Sequence, residues 1–390
     1  MEPVSRRAAL LGAVGVAGAT LVGCSAESQA QTQPPAGSPT AAGTASATPT
    51  ATASVDTTPR WPLTGKVLKN PDDARHIAVA VKVPDNKNEH PQIGIDKADI
   101  VYVQLDGYPA AVGASGTRLV PIFHSQFADT VNPVRSIRPV DIPMLSPINP
   151  IIGNTGAFPW VLDYAKYYEK YLVPMKSYMA TKGTGSYSIL SNRVRTLNGI
   201  TYYDRAVACH PKVLAKQTKK FADGPQVNYF PWAASDAEVS TEVAGKGASS
   251  VSVPWKTGNT FPNTYTWSEK AGRYLRSEPW GKHILADGTR VSCDNVLVIK
   301  AKQVFGKIYP PKNHVRTTGP IHKEPIHEII DTKGTFYYAH GGKYVTGTWT
   351  KGAVNEVFAF TLADGSPLKM APGQTFVELP NTNAKITIKG

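Results

Sequence analysis

The sequence predicts an α+β protein of two domains, an N-terminal α/β domain with a mixed sheet followed by a mainly β C-terminal domain. Three observations carry this reading. Apolar, β-branched runs recur between His76 and Phe123 with turn residues separating them. From Phe158 to Tyr171, Trp160, Tyr164, Tyr167, Tyr168 and Tyr171 recur at intervals of three and four, the period of a helix with one apolar face. After about Asp223, Pro, Gly, Thr and Ser multiply and short alternating runs follow one another, the pattern of a β domain.

Taken in order, His76–Lys82, Asp99–Gln104 and Arg118–Phe123 read as strands. Pro133–Leu145 reads as helical in part, interrupted by Pro139 and Pro143. Pro150–Gly153 reads as a buried strand before a Gly-rich turn. Phe158–Tyr171 is the amphipathic helix, its aromatics serving as core or as a ligand platform. A further helix is expected from Pro211 to about Phe221, with proline well placed in its first turn. In the second half, Ser250–Val253, Asn263–Trp267, Tyr274–Arg276, Asn295–Ile299, Phe336–Tyr338, Val357–Phe360 and Thr375–Leu379 read as strands. Asp287-Gly288, Gly341-Gly342 and Asp364-Gly365 turn the chain between them. The expected boundaries are residues 62–222 for the first domain, 223–248 for a connecting segment and 249–383 for the second domain, a twisted sheet or sandwich.

The N-terminus reads as an address. Arg6 and Arg7 precede a short apolar run that ends at Leu21-Val22-Gly23-Cys24, too short to span a bilayer. Residues 1–23 therefore read as a secretory signal peptide, and Cys24 as the residue that cleavage leaves first and acylation anchors to the membrane. Ser5-Arg6-Arg7 followed by Leu10 is similar to a twin-arginine signal, with the general secretion route as the alternative. Residues 24–61 are rich in Ala, Thr, Ser and Pro and nearly free of large apolar groups, so they read as a disordered tether. Such a tether reaches roughly 30–35 Å. The expected localisation is the extracytoplasmic face of the cell membrane, with the lipid bilayer as partner through Cys24.

The chain carries a formal net charge of +13. Loss of the signal leaves 40 basic against 28 acidic residues, a net +12. On an exported protein this charge suits an anionic wall polymer or lipid headgroups, or simply a solvated surface. Nucleic acid is not an expected partner in that compartment. Lys212, Lys216, Lys219 and Lys220 read as one solvated helix face. Besides Cys24 only Cys209 and Cys293 remain, either as one disulfide between the domains or as two separate buried thiols.

Several motifs together resemble one family. Pro62-Leu-Thr-Gly65, Pro91-Gln-Ile-Gly94 and Ala98-Asp-Ile-Val-Tyr102 stand near the start of the folded part. Gly116-Thr-Arg118, Ile122-Phe-His-Ser125 and Pro133-Val-Arg-Ser-Ile-Arg-Pro139 follow. The second half holds Asn295-Val-Leu-Val298, Gly347-Thr-Trp349, Gly365-Ser-Pro-Leu368 and Ala371-Pro-Gly-Gln-Thr375. From Pro62 to Pro380 this order resembles the YerB-like bacterial lipoproteins, built from paired N- and C-terminal DUF3048 domains of unknown function. The resemblance implies an envelope lipoprotein and brings no established activity. Two positions depart from the family pattern: Val103 stands where an acidic residue is usual, and Tyr187-Ser-Ile-Leu190 where Pro-His-Asn-Leu is usual.

The candidate ligand site is Arg118, Arg135 and Arg138 with Ser136 and His124, because guanidinium forks suit carboxylates and phosphates. The competing reading pairs these arginines with Asp99, Asp106 or Asp141 inside the fold. No catalytic residue is assigned. Ser366-Pro-Leu-Lys369, Asp294-Asn295 and Lys256-Thr-Gly258 run in the wrong order for a penicillin-binding enzyme. His314, His322 and His327, with Glu324 and Glu328, fit no common zinc spacing, so no metal is expected. No cofactor motif is evident. The leading expectation is a binding lipoprotein for an anionic wall or membrane component. A wall-glycan hydrolase or transferase using Asp85, His124 or Asp141 is the alternative, and a scaffold for another envelope protein a third.

Overall fold

Strands from the two halves of the sequence join edge to edge in one large sheet. The computed structural model describes residues 58–107, 116–174, 176–256, 259–310, 314–316 and 324–390. The expected signal peptide, Cys24 and the expected tether up to residue 57 lie outside the described residues. Arg60 bridges Val67, and its guanidinium donates to the Ala234 carbonyl at 2.8 Å.

The main path of the large sheet runs Lys246–Gly247, Lys343–Lys351, Thr332–His340, Asn295–Ile299, Thr375–Glu378, Ile100–Leu105, Thr117–Phe123, Val79–Val81 and Ile151–Gly153. Val83–Asp85 and Ala359–Leu362 pair off this path. The strand Thr375–Glu378 is the seam, lying parallel to both Asn295–Ile299 and Ile100–Leu105. Every residue of Ile100–Leu105, Thr117–Phe123 and Thr375–Glu378 is buried, so these strands are covered on both faces. Alternation sorts their side chains. Ile100, Tyr102, Leu297 and Val377 enter one core, with Ile142, Trp160 and Tyr164 from two short helices. Val101, Val103, Val296 and Phe376 enter the other.

A six-stranded sheet covers that second face, in the order Gly281–Lys282, Arg273–Glu278, Thr260–Ser268, Ser250–Lys256 and Thr387–Lys389, with Ser292–Cys293 on Arg273–Glu278. Tyr265 and Tyr274 bring it onto Phe376 and Val296, and the Tyr265 and Phe376 rings meet at 5.9 Å. The sheet runs on across the expected division at residues 222–249, with the strands of the first half on one side of the Thr375–Glu378/Ile100–Leu105 pairing and those of the second half on the other, and Val55–Gly390 form one unit.

Helical content is lower than the α/β reading of the first half implies. Among the described residues the longest α-helix is Pro159–Tyr167, nine residues, and Asp141–Leu145 and Pro211–Ala215 have five each. The helix expected to reach Phe221 stops at Ala215. Lys212, Lys216 and Lys220 would have stacked like charges at a spacing of four, and Thr218 Oγ1 instead accepts the Lys220 amide in a turn. The disulfide alternative is also corrected: Cys209 and Cys293 are both buried free thiols. Each packs among apolar groups, Cys209 beside Gly153 and Cys293 across from Tyr274.

Candidate functional site

The three arginines of the sequence-based site are occupied by carboxylates of the same fold. Arg118, on the Thr117–Phe123 strand, donates through Nε to Asp106 and through Nη1 to the Ser136 carbonyl at 2.7 Å. Arg138 meets Glu324 at 2.9 Å and Asp106 at 3.5 Å. Arg135 turns away, to Glu89 and to Asp204 at 3.7 Å. Arg118 and Arg138 thus converge, and Arg135 does not join them. Ser136 contributes its carbonyl. His124 is buried, with Nε2 3.0 Å from the Ala74 carbonyl and its ring between Trp61 and His76. Burial, then His76, brings its pKa down to about 4. The three arginines are thus each held by a carboxylate of the fold, while His124 Nδ1 is buried without a hydrogen-bond partner.

Arg118 and Arg138 belong to a larger buried cluster. Lys82 Nζ donates to Asp141 at 2.7 Å, and Gln104 Nε2 reaches the same oxygen at 2.9 Å. The Arg138 amide takes the other Asp141 oxygen at 2.6 Å. Burial lowers the Lys82 pKa to about 8 against the opposing pull of Asp141. The cluster is matched in charge: Lys82, Arg118 and Arg138 face Asp106, Asp141 and Glu324. Of the groups named for the hydrolase alternative, Asp141 is engaged within this cluster, and His124 is buried apart from it with Nε2 at the Ala74 carbonyl.

A second cluster joins the two family segments. Asp85 ends the Val83–Asp85 strand, and Arg276 and Glu278 lie on Arg273–Glu278, 191 positions later for the pair that meets. Arg276 Nη2 donates to Asp85 Oδ2 at 2.6 Å, and Nη1 donates to Glu278 at 3.0 Å. Thr117 Oγ1 also donates to Asp85 Oδ2, at 2.6 Å. His90 Nε2 lies 3.2 Å from Asp85 Oδ1 and 3.0 Å from Glu278 Oε1. His283 completes the group, its Nδ1 2.6 Å from Arg276 Nη1 and its Nε2 2.8 Å from Gln92 Oε1. Burial alone would lower the His90 pKa; its bonds to Asp85 and Glu278 reverse this and raise it to about 9. Burial, then Asp85, pushes Glu278 up to about 7. Burial, then the Arg276 guanidinium, holds His283 well below the usual imidazole range, so it is neutral.

An open cleft of about 370 Å³ lies beside the C-terminal end of Pro159–Tyr167. Tyr167, Lys170 and Tyr171 form one side, and Asp331 and Asn355 belong to the other lining. The helix is two-faced here: Trp160, Val161, Tyr164 and Ala165 are buried, whereas Tyr167 is 52% exposed. Lys170 Nζ sits 4.7 Å over the Tyr171 ring. The aromatic run thus divides between core and exposed platform.

Residues 63–216 match the N-terminal domain of DUF3048, a protein family of unknown function, and residues 251–377 match its C-terminal domain. The chain belongs to the DUF3048 family. A crystal structure of the YerB protein from Bacillus subtilis is similar over 84% of this chain and 99% of that one, with a TM-score of 0.62 and 19% identity. At that identity the likeness shows the fold alone. Among curated proteins, none matches the chain.

The family motifs occupy structural turns of this site. Pro91-Gln-Ile-Gly94 delivers Gln92 to His283, and Gly94 turns at φ +79°, where a Cβ would lie 2.2 Å from the Thr130 carbonyl. Val103, which reads in sequence as a departure from the family pattern, has Glu378 as its register partner across the seam. Glu378 is buried and accepts from Tyr265 at 2.6 Å and Trp255 at 2.7 Å. Sequence reading missed His90, Gln92, Arg276, Glu278 and His283; the one available signal was Gln92 inside a motif.

Proposed function

We propose that this DUF3048 chain is an exported lipoprotein, anchored through Cys24 at the outer face of the cytoplasmic membrane, that binds an anionic wall glycan in the tyrosine cleft. The observation that carries the binding part is the exposed Tyr167 beside Lys170 and Tyr171, opposite Asp331 and Asn355. Flat aromatic faces with a polar rim suit a sugar, which has an apolar ring face and hydroxyl edges, and the cleft is of ligand-binding size. Lys170 gives a carboxylate or phosphate of the polymer a point of contact. The net charge of +12 on the mature chain raises the local concentration of such a polymer. Sequence supports the anchor: Leu21-Val-Gly-Cys24 ends the apolar run, Arg6 and Arg7 open it, and the 24–61 tether gives the folded part reach above the lipid.

Binding of the full chain to isolated wall polymer tests the cleft. A Tyr167→Ala/Tyr171→Ala variant should lose about tenfold in affinity, since each aromatic contact contributes about 0.5–1.5 kcal/mol. Undiminished binding overturns the assignment. Cys24→Ala should move the protein from the membrane fraction to the soluble fraction, and retention in the membrane overturns the anchor.

A further inference from the structure

We propose that Asp85, His90, Glu278 and His283 form a site for one divalent transition-metal ion of zinc-like size, assembled only where the two family segments meet. Four ligand atoms, one from each residue, lie within 4.8 Å of one another. Three of the six separations suit the ion as they stand, and the others, within 4.8 Å, close as it enters. Tetrahedral zinc with bonds of about 2.0–2.1 Å sets its ligand atoms roughly 3.3–3.4 Å apart. Here His90 Nε2 is 3.2 Å from Asp85 Oδ1 and 3.0 Å from Glu278 Oε1, and His283 Nδ1 is 3.5 Å from Glu278 Oε1.

Two further features point to a cation. His283 Nε2 donates to Gln92 Oε1, which fixes Nδ1 as the lone-pair nitrogen and aims it into the cluster. An outer hydrogen bond of this kind is the usual support of a metal-ligating histidine. His90 Nε2, in turn, faces two carboxylate oxygens and the Gln92 amide nitrogen, the latter at 3.0 Å. The two Gln92 Nε2 hydrogens go to the Pro84 carbonyl at 3.1 Å and Asp85 Oδ1 at 3.2 Å, so the conflict is between an Nε2 lone pair and the two carboxylates. A proton or a metal ion between Nε2 and the carboxylates removes it.

Arg276 is the cation that holds the metal-free cluster together. Its Nη2 bond is to Asp85 Oδ2, so Oδ1, which also accepts from Gln92 Nε2, can turn to the metal, while Nη1 must withdraw from both His283 Nδ1 and Glu278 Oε1 as the ion enters. The charges then close. Asp85, Glu278 and the nearby buried Glu378 balance one guanidinium and one divalent ion. Access is from the rim, where the His90 side chain is 12% exposed beside Trp280. With four protein ligands and no open position, the ion would be structural.

The test is titration of the untagged, metal-free full chain with Co²⁺ and then Zn²⁺. The expected result is the visible absorption of tetrahedral Co²⁺, saturating at one ion per chain and displaced by Zn²⁺. His90→Ala lies at the rim and should keep the fold while weakening uptake at least tenfold; His210→Ala, outside the cluster, should leave uptake unchanged. Zn²⁺ should also raise the thermal midpoint of the wild type and not that of His90→Ala. No stoichiometric uptake by the folded wild type, or equal uptake by His90→Ala, overturns the proposal.

Discussion

The two buried ionic clusters differ in how their charge is matched. Around Asp141, three carboxylates face three cations that are fixed parts of the fold, Lys82, Arg118 and Arg138. Around Asp85, two contacting carboxylates, Asp85 and Glu278, with Glu378 close by, face one fixed cation, Arg276, and the balance falls to an imidazole at the rim or to a metal ion. Burying a charge costs several kcal/mol unless a partner is present, so the first cluster is complete in itself. The second is complete only when something mobile, a proton or a metal ion, joins it. A buried ionic group of the first kind is a structural joint; one of the second kind is a place where the fold can take up a ligand.

Removing one fixed cation from each cluster should separate them most sharply. Arg276→Met strands Asp85 and Glu278 together, and is expected to cost about 3–5 kcal/mol. Lys82→Met leaves Asp141 with Gln104 Nε2 and the Arg138 amide, and is expected to cost about 2 kcal/mol. Urea unfolding of the two variants measures the order. Equal losses would show that the unmatched cluster is no more dependent on its one guanidinium than the matched cluster is on one of three.

His124 and His90 sharpen the contrast within one residue type. Both are largely buried, but His90 faces two carboxylates and His124 faces a carbonyl and a second imidazole. Their pKa values move oppositely, up to about 9 and down to about 4. A depressed folded-state pKa means that the unfolded chain binds the proton more tightly. Stability from His124 is therefore present above pH 6.5 and is lost as the pH falls through 4. Relative to His124→Gln, the wild type should lose on the order of 2–3 kcal/mol between pH 7 and pH 4. Chemical denaturation at both pH values checks this, and a parallel response of the two proteins would mean that His124 takes up its proton as readily in the folded chain as in the unfolded one.

Legibility in the sequence followed the range of the interactions. Runs such as Ile100–Leu105 and Asn295–Ile299 declare themselves because a strand covered on both faces needs an unbroken apolar string. Asp106 as an arginine partner was also legible, since it lies only 12 positions from Arg118. The sheet order was not. Nothing local to Thr375–Glu378 says that it inserts beside Ile100–Leu105 rather than within its own half. The metal search followed His314, His322 and His327 because spacing patterns assume ligands close in sequence. The cluster that forms instead draws Asp85 and His90 from one turn and Glu278 and His283 from a distant hairpin. Isolated histidines and acids in loops carry no periodicity, and only the fold brings them together.

A smaller effect is expected at the tyrosine cleft, where nothing charged is buried. Tyr167→Ala should change unfolding free energy by no more than about 0.5 kcal/mol while weakening wall binding. A large loss of stability would move Tyr167 from the platform to the core, alongside Tyr164 and Tyr168, which are buried.

The smallest effect concerns the thiols, and it bears on export. Cys209 and Cys293 need no polar partner, and burial raises both pKa values, leaving them as unreactive thiols. The twin-arginine route proposed from Arg6 and Arg7 delivers a folded chain, so both sulfurs would be enclosed before they met an oxidising compartment. A chain threaded unfolded would expose them there first. Protein recovered from the envelope should therefore give two titratable thiols per chain in denaturant and almost none without it. Its thermal midpoint should be the same with and without reductant. A single disulfide, seen as a midpoint that falls on reduction, would contradict the folded geometry and the export of a folded chain together. Loss of the thiols to oxidation without a disulfide would contradict the export route alone.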